Sequence, residues 1–460
     1  TLKRLNLLLI SLLLIPQCLL CQSSVLGSGK WVKMSFSESG VYKITWNKLR
    51  EFGFDPSDID PKNIAIYGQN GGMLAQSLSE NRYIDLQENP ITVVGESDGV
   101  FGENDYILFY VDEINQVDYD ANSDQFNITR NLYTDEIFYF LTIKNEPGLR
   151  LEAKPDLGSS GNLVKSARQL VYHESDETNI LSSGREWFGE QLNAINSISF
   201  QHQTPSLSPN STVKVFAEFL SQAYVSTSLD IQINNNALGT LNFEAIPNSQ
   251  YAVKGNLQNN TFSISSTQID DSQINVQFTY NRNGANSSVA YLNKYWVDLP
   301  IEPVFTNNPL ILRYPAQNSG ISTFSINSNA SAHQVWDVTD PTNIKEQQHS
   351  VIDNKITFST FSNTYTEFMV FNSNNLPEPD LYEDLQNQDL KSSVAVDFLI
   401  ITHESLHSEA QRLADFRNSH DQLSVQVATV NQIYNEFSAG RQDVSAIRNF
   451  IKYKYDQGTL

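Results

Sequence analysis

From Gly27 to about Leu376, apolar residues recur at every second position, the spacing of strands that bury one face. Val32, Met34 and Phe36 alternate with polar neighbours. After a turn at 37–40, Tyr42, Ile44 and Trp46 alternate again, which predicts a β-hairpin with one buried face. Positions 46–52 predict a short helix, capped by Thr45 and stopped by Gly53. Further strands are expected at 64–67, 106–111 and 137–143, the last two apolar on both faces. Beyond a Gly/Ser/Asn stretch at 158–162, short strands at 213–220, 229–233, 274–280 and 291–297 are separated by Asn, Ser and Gly turns, the punctuation of an antiparallel sandwich. A third β section carries strands at 310–313, 335–338 and 368–371.

After Ser393 the pattern changes. Positions 396–401 are continuously apolar, as in a strand buried on both faces. Leu406, Ala410, Leu413 and Ala414 then fall at helical spacing. Val425 and Val427 mark another strand, and Asp443 can cap a helix buried through Val444, Ile447, Ile451 and Tyr455. Strand, helix, strand, helix opens a parallel α/β sheet. The expected fold class is therefore mainly β, with antiparallel sandwich-like amino-terminal domains, followed by the first βα units of an α/β domain. The expected divisions are a signal peptide at 1–24, a β-rich domain at 25–150, a β-sandwich at 151–303, a small β domain at 304–375, a linker at 376–394 and a truncated α/β domain at 395–460. That last piece is expected to be loosely held, because two βα units do not cover their own sheet.

Composition narrows the function. The 460 residues include 52 Asp and Glu against 30 Lys and Arg, a net charge of −22. Such a balance opposes docking to nucleic acid or to anionic membranes. Lys3 and Arg4 precede a run of Leu and Ile to Leu20, followed by small polar residues: a charged segment, an apolar segment and a processing site. A membrane-spanning helix needs about 20 apolar residues, and Pro16 and Gln17 interrupt this run. Secretion is the expectation, with a lipoprotein cysteine at Cys18 or Cys21 as the alternative. Both cysteines of the chain lie in that leader, so a chain cut after Cys21 has neither a disulfide nor a thiol nucleophile.

Three stretches imitate functional motifs. His403, Glu404 and His407 spell the H-E-x-x-H of zinc peptidases, which needs both histidines within one helix. Here His403 falls where a strand ends, with Thr402 as the expected cap, and of later histidines only His420 follows. Gly95–Gly99 is formally G-x-S-x-G, but Ser97 lies between Glu96 and Asp98 and is followed by a strand rather than a helix. The acidic loops 55–60 and 96–105 carry enough oxygens for calcium but lack the spacing of an EF-hand, and solvated turns are the default. No metal, cofactor-binding or catalytic residue is assigned, and no cofactor is expected.

The run from Ile433 to Tyr453, IYNEFSAGRQDVSAIRNFIKY, resembles the opening of the peptidase domain in the gingipain-type cysteine peptidases, family C25. Upstream, SGVYKIT (from Ser39), DGVFGENDYILFY (from Asp98) and VWDVTDPTNI (from Val335) are similar to the amino-terminal region of the type IX secretion sortases in that family. The resemblance implies a caspase-like α/β core with a His–Cys dyad at the outer membrane or cell surface. The cysteine cleaves secreted clients at a C-terminal sorting domain, and an amine of anionic lipopolysaccharide resolves the acyl-enzyme. Implied partners are those clients, outer-membrane secretion components and the lipopolysaccharide acceptor. His403, His407 and His420 match no catalytic position of the family, so the dyad is expected beyond Leu460 and the chain alone is expected to be inactive. Two alternatives stand: a non-catalytic surface protein whose β domains bind secretion partners or a glycan, and a secreted protease of gingipain type.

Overall fold

The computed structural model describes residues 23–460 except 81, 159–160, 183, 185, 205, 270–272, 316–319, 331–332 and 393. The leader expected at 1–24, with Cys18 and Cys21, lies outside the described residues apart from its last two positions.

The first β unit is two facing sheets. One has the order Leu381–Leu385, Trp31–Phe36, Ile137–Ile143, Ile64–Gly68, Gln87–Asn89; the other runs Gly40–Thr45, Tyr106–Val111, Thr92–Val94. The alternating residues Val32, Met34, Phe36 and Ile44 all enter the core between them, with Ile107, Phe109, Tyr139 and Leu141. The hairpin expected from 32 to 46 does not form. Trp31–Phe36 pairs with Ile137–Ile143, and Gly40–Thr45 pairs with Tyr106–Val111 in the opposite sheet. Both strands present one face to the same core, so the turn, with Gly40 at φ +140°, carries the chain across the sandwich. Helix α1, Trp46–Glu51, follows with Thr45 Oγ1 accepting the Lys48 N–H at 3.3 Å, and Gly53 stops it at φ +73°.

A ten-stranded sheet forms the body of the molecule. Its central order is Thr366–Phe371, Leu310–Tyr314, Ala167–Glu174, Val289–Ile301, Thr212–Gln222, so it takes strands from both sides of residue 303. A four-stranded sheet containing Thr227–Ile233 and Gln273–Asn281, and a five-stranded sheet containing Ile321–Ser328 and Lys355–Phe361, accompany it. One continuous core results, from Phe219, Phe278 and Tyr295 through to Phe324, Phe358 and Phe368. Adjacent left-handed residues make tight turns at Asn234–Asn235 and Asp353–Asn354, short polar side chains that tolerate positive φ.

Ion pairs tie this body to the first unit and brace it internally. Arg313 bridges Glu367 at 3.1 Å and Glu113. Arg168 holds Asp298 through two contacts of 2.7 and 2.5 Å. Asp124, at the tip of the hairpin Gln116–Asp120/Gln125–Thr129, reaches Lys214 at 2.7 Å.

The stretch 376–394 then brings the chain back. Leu381–Leu385 pairs antiparallel with Trp31–Phe36, so the α/β unit is entered from the first β unit. That unit has two parallel strands, Phe398–Thr402 and Val425–Thr429, and helices α2 (His407–Asp421), α3 (Val430–Phe437) and α4 (Val444–Asp456). Helix α3 was not foreseen, although Thr429 and Gln432 form a complete capping box at its start. Helix α4 presents the opposite face from the one expected. Ser445, Ala446, Asn449, Phe450 and Lys454 are buried, whereas Val444 is 53% and Tyr455 73% exposed. Val444, Ile447, Ile451 and Tyr455 line an open groove with Leu78 and Leu460. In α2 only Ala410 and Ala414 are buried; Leu406 and Leu413 are exposed. The strand Phe398–Thr402 is half-buried throughout rather than covered on both faces.

Phe324 is fully buried, 4.6 Å from the ring of Tyr314 and 5.3 Å from that of Phe358. Replacing it by Ala is expected to cost about 3–5 kcal/mol, read as a lower urea midpoint at unchanged slope.

Candidate functional site

The residues that imitate motifs are occupied locally. His403 lies ahead of the first helical turn, and its Nδ1 accepts the Ser405 N–H at 3.2 Å, so His403 itself, not Thr402, is the cap. His407 is the first residue of α2, and Glu404 accepts the Asn431 N–H at 3.0 Å. Ser97 sits in a 3-10 turn between two strands, anchored by Glu96 on Arg150 at 2.7 Å. In the acidic loops, Asp55 accepts the Ser57 N–H, Asp60 the Lys62 N–H, Asp98 the Val100 N–H and Asp105 the Gly102 N–H. The hydrogen bonds from Ser57 hold the Asp55 carboxyl below its usual range. Among the described residues no group of three or more His, Cys, Asp or Glu is placed to hold a metal ion.

The chemically unusual part of the molecule is the seat of the α/β unit on the first β unit. The loop between α3 and α4 reads Ser438, Ala439, Gly440, Arg441, Gln442, Asp443, and its tip is left-handed, with Ala439 at φ +50° and Gly440 at φ +82°. That turn presses Ala439 among Leu26, Trp31, Leu86 and Phe140. A Cβ on Gly440 would stand 2.8 Å from Lys33 Cε and 3.0 Å from Phe138 Cβ, so only glycine fits both the dihedral and the space. Arg441 is buried; its guanidinium donates to the Asn70 carbonyl and, at 3.2 Å, to that of Ser438. Asp443 serves both units: one oxygen caps α4 through Ser445 N–H at 2.7 Å, and the other accepts Leu74 N–H at 2.8 Å. Arg448 donates to the Ala75 carbonyl at 2.8 Å, and Arg82 donates to Asn449 at 2.9 Å.

Beside the loop lies a closed ionic triad. Lys391 Nζ is 3.0 Å from Asp85 Oδ1 and 3.3 Å from Glu436 Oε2, with the three side chains 0%, 4% and 0% exposed. Asp85 also accepts the N–H groups of Val25 at 3.1 Å and Leu86 at 2.8 Å. Glu436 Oε1 accepts from Gln388 Nε2 at 2.8 Å and Leu390 N–H at 2.9 Å. Burial raises the Glu436 carboxyl, and Lys391 opposes that rise. Hydropathy gives no hint of this set, because Lys391, Asp85 and Glu436 are residue types that ordinarily face water.

A β-sandwich array carrying a parallel α/β unit on a buried polar seat is the class of protein that results. Residues 391–460 match peptidase family C25, a match that begins at the triad lysine. Over nearly the whole chain the fold is that seen in the crystal structure of dimeric latent PorU from Porphyromonas gingivalis. The TM-score is 0.83 at 22% identity, covering 95% of this chain and 40% of that one. The chain thus spans 40% of the length of that structure. A carbohydrate-binding module from Cellvibrio mixtus lichenase 5A, in complex with cellotriose, aligns with 32% of this chain and 94% of its own at 16% identity; its TM-score of 0.17 carries no argument. No curated protein matches the sequence.

Two expected outcomes follow from the seat. Gly440→Val should force the loop off the β unit and speed amide hydrogen exchange across 438–443, while exchange in the body strands stays unchanged. Asp112, half-buried next to Glu113 and accepting the Gly71 N–H at 2.8 Å, has its carboxyl pushed up to about 7 by desolvation. Its native value lies above the unfolded one, so its contribution to stability is complete below the ordinary carboxyl range and is lost as pH rises through about 7. The slope is about 1.4 kcal/mol per pH unit between the two values. Asp112→Asn should therefore narrow the difference in urea midpoint between about pH 5 and about pH 8.

Proposed function

We propose that this chain is the amino-terminal part of a cell-surface cysteine peptidase of family C25 that acts as a type IX secretion sortase. One observation carries the reading: the segment that matches family C25 is mounted on a β array whose fold follows PorU across 95% of the chain. In this reading the β units are the mount. The catalytic His and Cys follow Leu460, and the present chain supplies the first βα units of the sheet that positions them. The thiolate attacks the client's peptide bond ahead of its C-terminal sorting domain and releases that domain. An amine on lipopolysaccharide then displaces the thiol, so the cargo leaves as an amide attached to the outer membrane. The leader and the acidic surface fit a secreted protein, and no helix among the described residues is long and apolar enough to cross a membrane.

The test is deletion of the gene in its own bacterium. Clients should accumulate with their sorting domains uncleaved and without the high-mass lipopolysaccharide-linked forms. Full-length protein should restore both; residues 1–460 alone should restore neither. Normal client processing in the deletion strain would overturn the sortase reading. Loss of general Lys- or Arg-directed proteolysis, with anchoring intact, would indicate the gingipain-type protease instead. Intact processing with lost binding to secretion components or glycan would leave the non-catalytic β-domain role.

A further inference from the structure

The triad at the seat has more acid than an ion pair requires. One lysine faces two carboxylates, all three withdrawn from water, so an unbalanced negative charge is buried between the units. Burying even a matched pair costs several kcal/mol per ion, and a second carboxylate adds to that cost. The three groups come from separate segments: Asp85 from the first β unit, Lys391 from the turn that follows the returning strand Leu381–Leu385, Glu436 from α3. Their arrangement is that of a nucleophile, an electrophile and a proton carrier. A lysine amine relieved of its proton is a nucleophile toward a carbonyl carbon. Lys391 Nζ stands 3.0 Å from Asp85 Oδ1, in direct contact with the carboxyl whose Cγ it would attack. The Val25 N–H on Oδ2 and the Leu86 N–H on Oδ1 polarise the Asp85 carboxyl, as donors do at a developing oxyanion. Glu436 has Oε1 fixed by Gln388 and Leu390, which leaves Oε2 turned to the amine. The Phe437 ring, 4.9 Å from Nζ, closes the site.

We infer that Lys391 and Asp85 condense into an intramolecular isopeptide bond, with Glu436 moving the protons. Glu436 takes a proton from the Lys391 ammonium and passes it to the Asp85 carboxylate. The free amine attacks Asp85 Cγ, forming the C–N bond. Glu436 then carries a second proton from nitrogen to the Oδ1 oxygen, the C–O bond breaks, and one water leaves. One hydrogen remains on the amide nitrogen, Oδ2 becomes the amide oxygen, and Glu436 ends as a carboxylate. No oxidant or cofactor takes part. The product is neutral, so the linkage removes an ammonium and a carboxylate from the interior and joins the α/β unit covalently to the β unit.

The experiment is a protease digest of the denatured full chain, read by mass spectrometry. The expected result is a branched peptide joining the Asp85 and Lys391 segments, one water lighter than the two combined, with tryptic cleavage blocked at Lys391. Glu436→Gln, confirmed as folded by its circular dichroism, should yield the two peptides separately, as should Lys391→Arg. Unmodified Asp85 and Lys391 peptides from the wild-type chain would overturn the bond. Water loss at any other residue would do the same. A bond that persists in Glu436→Gln would overturn the part given to Glu436. The reading does not rest on peptidase or sortase activity, which the digest does not measure.

Discussion

The burial of charged and polar groups where the α/β unit meets the first β unit is the constraint on which the rest of this structure depends. Charges in an apolar seam are tolerable only when every partner is in place, and removing one leaves the others uncompensated. Lys391, Asp85 and Glu436 meet this condition together with Gln388, Leu390, Val25 and Leu86. Arg441 meets it on the Asn70 and Ser438 carbonyls, and Asp443 through Leu74 and Ser445. An apolar seam admits small slips; this one has a single register. A left-handed Ala439–Gly440 tip, pressed against Phe138 and Trp31, adds a shape that no neighbouring position reproduces.

The path of the chain follows from that seat. Leu381–Leu385 adds to the edge of the first unit beside Trp31–Phe36, and thereby delivers Lys391 to Asp85 and the Gln388 N–H to the Leu26 carbonyl. Helix α4 turns its small and polar face inward because that face carries the groups the β unit satisfies: Asn449 for Arg82 and Arg448 for the Ala75 carbonyl. The buried Lys454 donates to the Ser392 carbonyl. Its apolar stripe is left along the open groove. Polar matching sets the orientation of this helix together with Ala446 and Phe450, which pack against Ile433 and Phe437.

This explains what could and could not be read from the sequence. Several strand positions are legible, since a period of two survives whichever strand is the neighbour: 106–111 and 137–143 match the observed strands and 310–313 falls one residue short, while Ala167–Glu174, Ile321–Ser328, Lys355–Phe361 and Leu381–Leu385 are strands the pattern does not single out. Caps were legible where one side chain serves one amide, as at Thr45 and Asp443. Pairing was not, because alternation in 32–36 and 42–46 says only that each strand has a buried face; two strands facing one core from opposite sheets read like a hairpin. The α4 stripe misled for a related reason. Val444, Ile447, Ile451 and Tyr455 have the period of a buried face, and the rule that apolar residues go inside fails where a partner surface is built from carbonyls and carboxylates. Two βα units alone would leave the α/β unit loosely held; the β unit supplies the further contacts. Helix α3 was missed although its T-x-x-Q start was in view, because eight residues give little periodicity.

The same physics separates the imitation motif from the real chemistry. His403 and His407 have the letters of a metal site, yet His403 is 67% exposed on its side chain and caps a turn in water. Lys391 has no motif around it, and it is fully buried. In a chain with a charge of −22, cations at the surface are outnumbered, but the buried ones gather at the joins: Lys391, Arg441 and Lys454 at the α/β seat, Arg313 between the first unit and the body. Each neutralises or hydrogen-bonds acceptors contributed by a different segment. A reactive group needs withdrawal from water and a matched neighbour, and a join that buries polar groups supplies both. The place to look for chemistry in this part of the protein is therefore the joint that holds its units together.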